Sequence, residues 1–133
     1  MKPVRSVTHL KGETTLDVNI DPGANGDAPI AVDVVTVQSS STLKEVSKLT
    51  AQAWFQQRTT LLRMHPSDLH LTSWEWVPGQ QVAPVRVPDT GVADGVVLFA
   101  NYSTAGGHSA LLPSSGTIAI HFGAQDFSLQ PSR

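Results

Sequence analysis

Apolar and polar residues alternate from Thr14 to Ile20, with Leu16, Val18 and Ile20 on one side and Thr15, Asp17 and Asn19 on the other, the period of a half-buried strand. Ile30 to Val37 is β-branched almost throughout, which suits a pleated sheet and disfavours a helix by restricting χ1. Between the two runs lies Asp21-Pro22-Gly23-Ala24-Asn25-Gly26-Asp27-Ala28-Pro29, rich in turn residues and too long for a minimal hairpin turn. Such a loop on a rigid strand pair is a candidate binding surface: its prolines and glycines preset its shape, while Asp21, Asn25 and Asp27 are expected to expose polar groups.

After Ser39-Ser40-Ser41 the period lengthens. Leu43, Val46, Leu49, Thr50, Ala53 and Trp54 recur near 3.6 residues, and Thr42 with Glu45 fits a capping box, so the pattern predicts one helix from about Thr42 to Gln57. His65-Pro66 is incompatible with a helix continuing through it. From Asp68 the period returns to two: His70, Thr72, Trp74 and Trp76 fall on one face and Leu69, Leu71, Ser73 and Glu75 on the other. Gln81 to Val87 reads as a strand kept to an edge by Pro84, and Gly95 to Tyr102 as a central strand. Short strands are expected at Ser109 to Leu112, Thr117 to Phe122 and Asp126 to Leu129. Seven or eight short strands, divided by 10 glycines and 9 prolines, predict a mainly β, two-sheet sandwich with one inserted helix, because a parallel sheet needs helical crossovers. Residues 1–13 read as a tail or tether, and 14–133 as the sandwich domain.

A chain of 133 residues, 40% hydrophobic and 15% charged, can bury a core of its own. Its net charge of −2 offers no basic footprint for nucleic acid. Without cysteine it has no disulfide, thiolate metal site or cysteine nucleophile. No apolar run approaches the roughly 20 residues that cross a bilayer as a helix, so the chain as written is expected to be soluble.

Candidate chemistry is sparse. Asp89-Thr90-Gly91 is similar to the catalytic loop of retroviral-type aspartic proteases, which pair two such aspartates. Here the motif falls late in the chain, behind Pro88 instead of a hydrophobic residue, and an inter-strand turn is the better reading. His9, His65, His70, His108 and His121 are scattered without metal-ligand spacing, so no metal and no cofactor are expected. Gly106-Gly107-His108-Ser109 could present amides and a His-Ser pair to an anion, but no acidic orienter accompanies it, which favours a turn. Asn101-Tyr102-Ser103 matches a glycosylation acceptor at a strand end. Trp74 and Trp76 belong in a core or, alternatively, on a face that binds sugar or peptide. No nucleophile, base and orienter assemble from the spacing, so no enzyme is expected.

The order of these elements resembles the outer-membrane lipoprotein of type VI secretion systems, the TssJ family. The likeness begins at Leu16 to Gly26, similar to that family's first strand and Asn-Pro-Asp-x-x-Gly type of loop. It continues through Pro29 to Val37, Leu49-Thr50-Ala51-Gln52-Ala53-Trp54-Phe55, the Pro78-Gly79-Gln80 turn and Gly95 to Ala100. His108-Ser109-Ala110 stands where the family has a tryptophan-arginine pair. The resemblance implies a transthyretin-like sandwich on the periplasmic face of the outer membrane, tethered by a lipidated cysteine preceding Met1. It implies a docking role: binding the periplasmic C-terminal region of the inner-membrane TssM-type protein through the loop Asp21 to Pro29. A small carbohydrate- or peptide-binding sandwich is the alternative.

Overall fold

The computed structural model describes residues 13–131, so the tail expected at 1–13 lies outside the described residues except for Glu13. Eight strands form two four-stranded sheets. They are β1 (Thr14–Ile20), β2 (Ile30–Val37), β3 (Leu69–Trp76), β4 (Val85–Val87), β5 (Gly95–Ala100), β6 (Ser109–Leu112), β7 (Gly116–Phe122) and β8 (Phe127–Pro131). One sheet runs β4-β1-β7-β8, the other β3-β2-β5-β6. All pairs are antiparallel except β1 with β7, whose registers run Thr14 opposite Gly116 to Ile20 opposite Phe122. The mainly β sandwich read from the period-two patterns is the fold observed.

The inner faces meet through Leu16, Val18 and Ile20 of β1, Val32 and Val34 of β2, Leu98 of β5, and Ile120 and Phe122 of β7. Trp74 and Trp76 join this core, stacked at 5.4 Å between ring centroids, and Trp76 meets Phe122 edge-on. The core reading of the two tryptophans therefore holds. Leu69 and Leu71 lie on the opposite face of β3, where they pack with the helices. Pro84 precedes a shortened β4 at the sheet edge, since proline has no amide for a ladder.

The single expected helix from Thr42 to Gln57 is corrected to two, α1 (Ser40–Ser47) and α2 (Ala51–Met64). Ser39, rather than Thr42, caps the first, its hydroxyl accepting from the Thr42 amide. Thr42 turns its own hydroxyl to Asp68, which pins α1 to the start of β3. The chain breaks at Thr50, an extended residue whose side chain caps α2 by accepting from the Ala53 amide. The Ala51 amide bonds to the Gly107 carbonyl of a distant loop. Beyond Gln57 nothing interrupts the helix until His65-Pro66, where it ends.

Both helices cover the outer face of the β3-β2-β5-β6 sheet, a third layer built from Val46, Trp54 and Leu61 against Val35, Val37, Val97 and Phe99. Trp54 stacks on Phe99 at 5.1 Å, nearly parallel. Within this layer the Asp33 side chain of β2 is 1% exposed and accepts three hydrogen bonds: from Trp54 Nε1 at 2.8 Å, Arg58 at 2.7 Å and the Ser73 hydroxyl at 2.7 Å. A buried carboxylate is tolerated when charge and lone pairs are met in this way. Burial on both sides is why β2 and β5 read as near-continuous apolar runs, whereas β1, solvated on one side, alternates.

Asp33→Ala leaves the buried Trp54 indole N–H without its acceptor and unties the partly exposed Arg58, and is expected to cost about 1–3 kcal/mol in urea unfolding. A midpoint equal to the parent's would mean that apolar packing alone holds the helical layer. Ser39→Ala should cost about 1 kcal/mol through loss of the cap. Equal stability of Ser39→Ala and parent in the same assay would place the start of α1 elsewhere.

Candidate functional site

The seven residues of β1 separate two poles of the sandwich by roughly 20 Å, at about 3.3 Å per residue. At the first pole the Thr14 amide donates to the Thr90 hydroxyl at 2.7 Å, the Thr14 hydroxyl donates to the Pro113 carbonyl, and Glu13 pairs with Arg86 at 2.8 Å. The Asp-Thr-Gly motif is here: Thr90 is buried as a brace for β1, and Asp89 is an exposed residue in left-handed backbone. That is a structural turn. Glu13, the first described residue, stands at this pole.

At the opposite pole four connections converge: Asp21 to Pro29 between β1 and β2, the turn after Trp76, the β5–β6 loop from Asn101 to His108, and the β7–β8 turn from Gly123 to Asp126. Asp21 pairs with His121 at 2.7 Å, and its carbonyl receives the amides of Ala24 and Gly79, each at 3.1 Å. Residues Ala24–Asp27 form a 3-10 turn with Asn25, Gly26 and Asp27 all at positive φ, a conformation that asparagine, aspartate and glycine tolerate best.

The expectation that Asn25 exposes a polar group is overturned. Its side chain is 4% exposed and acts as a plug. The amide donates to the carbonyls of Pro29 at 3.1 Å and Ala28 at 3.4 Å, while Oδ1 accepts from the Ser103 amide at 2.9 Å and hydroxyl at 3.1 Å. Ala24 is fully buried and Ala28 half-buried. The outward surface of the loop is Pro22, Gly23, Gly26, Asp27 and Pro29, with Asp21 partly covered beside His121. Exposed Val77 sits in the neighbouring turn, whose Gly79 lies against Pro22.

The β5–β6 loop is tied down by groups that the sequence did not single out. Tyr102 donates from its phenol to the Gly123 carbonyl at 2.9 Å, and Thr104 from its hydroxyl to the Gln125 carbonyl at 2.8 Å. Burial, with added repulsion from Asp126 and Asp21, drives the Tyr102 phenol above the ordinary tyrosine range and keeps it neutral. His108, read as a possible anion ligand beside Ser109, turns inward to Asp126 at 2.8 Å, and Ser109 belongs to the β6 ladder opposite Phe99. Of the other described histidines, His121 pairs with Asp21, His65 lies beside Glu45, and His70 is exposed on β3. Gln52, Asn101 and the segment Tyr102 to Gly106 line a shallow cleft of about 500 Å³ with His108. Only a local turn signal, Asn25-Gly26, foreshadowed any of this network, because its other partners are 78 or more residues away or on another hairpin.

No protein-family model matches the chain, and no curated protein matches it. Solved structures do. Lip of Serratia marcescens, a membrane-bound component of the type VI secretion system, shares 17% identity over 90% of this chain and 96% of its own, with a TM-score of 0.68. The type VI lipoprotein TssJ1 of Pseudomonas aeruginosa shares 16% identity over 92% and 98%, with a TM-score of 0.65. A structure described as the TssM C-terminal domain from EAEC matches at 14% identity over 90% and 98%, with a TM-score of 0.61. At these identities the shared property is the fold, and this chain has the sandwich fold of the type VI secretion lipoproteins.

Proposed function

We propose that this chain is a non-enzymatic docking component of a type VI secretion membrane complex. In this reading it is held at the periplasmic face of the outer membrane by a lipid on its N-terminal side. The loop Asp21, Pro22, Gly23, Ala24, Asn25, Gly26, Asp27, Ala28, Pro29 then binds the periplasmic C-terminal region of a TssM-type inner-membrane protein. The observation that carries the proposal is the division into two poles: the start of β1 at Thr14 lies at one end, and a loop braced into a fixed shape stands at the other. The fold shared with type VI lipoproteins supports it, as does the similarity to a structure described as the TssM C-terminal domain.

A braced loop loses little conformational freedom on binding, so more of its contact energy reaches affinity. The roles within the loop divide accordingly. Pro22, Gly23, Gly26, Asp27 and Pro29 supply the contact surface, Ala24 and Asn25 hold its shape, and Asp21 fastens it to β7. The alternative of a sugar- or peptide-binding face on Trp74 and Trp76 has no support, since both pack into the core.

The test is titration calorimetry against the periplasmic C-terminal region of a TssM-type protein. Pro22→Asp combined with Asp27→Lys should weaken binding at least tenfold, about 1.4 kcal/mol, with an unchanged melt. Val92→Lys at the opposite pole should have no effect. Affinity of the loop variant within twofold of the parent would move the interface elsewhere. Asn25→Ala should both lower stability by about 1–3 kcal/mol, since it removes the four hydrogen bonds of a buried side chain, and weaken binding from beneath the surface. Retention of full affinity by Asn25→Ala would show that the shape of the loop does not matter to its partner.

A further inference from the structure

Of the three asparagines in the sequence, only Asn25 is followed by glycine. Asn19 and Asn101 precede Ile20 and Tyr102, whose side chains crowd the amide that follows the asparagine, whereas Gly26 leaves its backbone nitrogen open to the Asn25 carboxamide carbon. In an unfolded chain this pair is the one most prone to deamidation. The fold keeps its two reactants apart. Gly26 is exposed at φ 60, with nothing within 4 Å of where a side chain would point, while the Asn25 side chain is 4% exposed.

The orientation of the carboxamide is set by groups that have only one hydrogen-bonding sense. The Ser103 backbone amide can only donate, so the atom 2.9 Å from it is the oxygen Oδ1. The carbonyls of Pro29 and Ala28 can only accept, so the atom at 3.1 and 3.4 Å from them is the nitrogen Nδ2. The flipped amide would oppose acceptor to acceptor and donor to donor. A further tie holds the main chain, where the Asn25 carbonyl accepts from the Ala28 amide at 3.0 Å. Deamidation begins with closure of a five-membered ring, which draws the carboxamide carbon to bonding distance from the Gly26 nitrogen. It cannot close while Oδ1 and Nδ2 stay with these partners.

We propose that Asn25 is a deamidation site gated by the brace of the β1–β2 loop, inert while Ser103, Ala28 and Pro29 hold its carboxamide and leaving the loop open for good once it has reacted. When the loop opens, the Gly26 nitrogen gives up its proton and attacks the carboxamide carbon; a C–N bond forms and Nδ2 leaves as ammonia, which yields a succinimide. Water then adds to one of the two ring carbonyls and breaks its bond to nitrogen, leaving an aspartyl or an isoaspartyl residue. Nothing is oxidised or reduced. Neither product fits the former seat. An aspartyl side chain puts a carboxylate oxygen where Nδ2 donated, buried against two carbonyl oxygens and without a donor. An isoaspartyl residue adds a methylene to the main chain inside the 3-10 turn. A partner that holds the braced shape would protect the site, and the reaction would withdraw the loop from it. That consequence for binding rests on the docking reading; the gated site does not.

The experiment incubates the whole chain in mildly alkaline buffer beside a synthetic peptide of residues 21–29 and follows, by peptide mass, the conversion of amide to acid at position 25. Only the open fraction of the folded chain reacts, so the parent is expected to deamidate at least about a hundredfold more slowly than the peptide. Ser103→Ala, at an exposed position, removes one of the four bonds and should speed the reaction about fivefold. Val92→Lys at the opposite pole should leave the rate unchanged. The deamidated parent, separated by its added charge, and Asn25→Asp should both melt below the parent and exchange the Ser103 amide faster. Deamidation of the parent at the peptide's rate, one rate in parent and Ser103→Ala, or a deamidated chain that melts with the parent overturns the proposal. Gated deamidation that leaves affinity for the TssM-type region unchanged supports the site and counts against the docking reading of the loop.

Discussion

The Asp33 carboxylate is the point on which the layered architecture depends. A charge at the middle of the central strand β2 would be ruinous in an apolar interior, and it is stable here because an indole, a guanidinium and a hydroxyl from α2 and β3 all donate to it. The requirement works in both directions. The carboxylate needs α2 above it, and α2 is fixed in rotation and height because Trp54 and Arg58, four residues apart, must reach the same oxygen. Apolar packing between Trp54 and Phe99 would tolerate sliding; a directional hydrogen bond does not.

From this fixed helix the constraint passes to the loops. The start of α2 is set by the Gly107 carbonyl accepting the Ala51 amide, so a helix positioned by Asp33 in turn positions the β5–β6 loop. That loop carries Ser103, which holds Asn25, and Tyr102 and His108, which hold the β7–β8 turn. A buried aspartate on the far side of the sheet and an exposed loop thus share one continuous set of bonds. Such a surface is prepared before any partner arrives.

How much of this was legible follows from the range of each interaction. The strands could be read because alternation at Leu16, Val18 and Ile20 is local, and the edge position of β4 because Pro84 states it outright. The tryptophans stayed open between core and binding face, because alternation on β3 is the same for either, and the double-sided burial of β2 hid Asp33 inside a β-branched run, where an acidic residue looks like an ordinary solvent-facing position. The helix break at Thr50 was missed because the next amide, of Ala51, is taken by a carbonyl 56 residues further on, whereas the periodic pattern runs across the break undisturbed. The loop from Asp21 to Pro29 was recognisable as a shaped turn from its glycines and prolines. The inward turn of Asn25 was not, since an asparagine before glycine has the same local signature whether its amide meets water or Ser103.

The parallel pairing of β1 with β7 also has a mechanical meaning. A pull applied at Thr14 and resisted at the loop after Ile20 runs along the axis of β1, which is bonded to β7 along its whole length and to β4 at its first residues. Force in that direction loads the rungs of the ladder together, in shear, instead of opening them one after another as a zipper. A chain anchored at one pole and gripped at the other would carry tension through its best-supported strand, and strain at the anchor would arrive at the docking loop without first unpicking the sandwich.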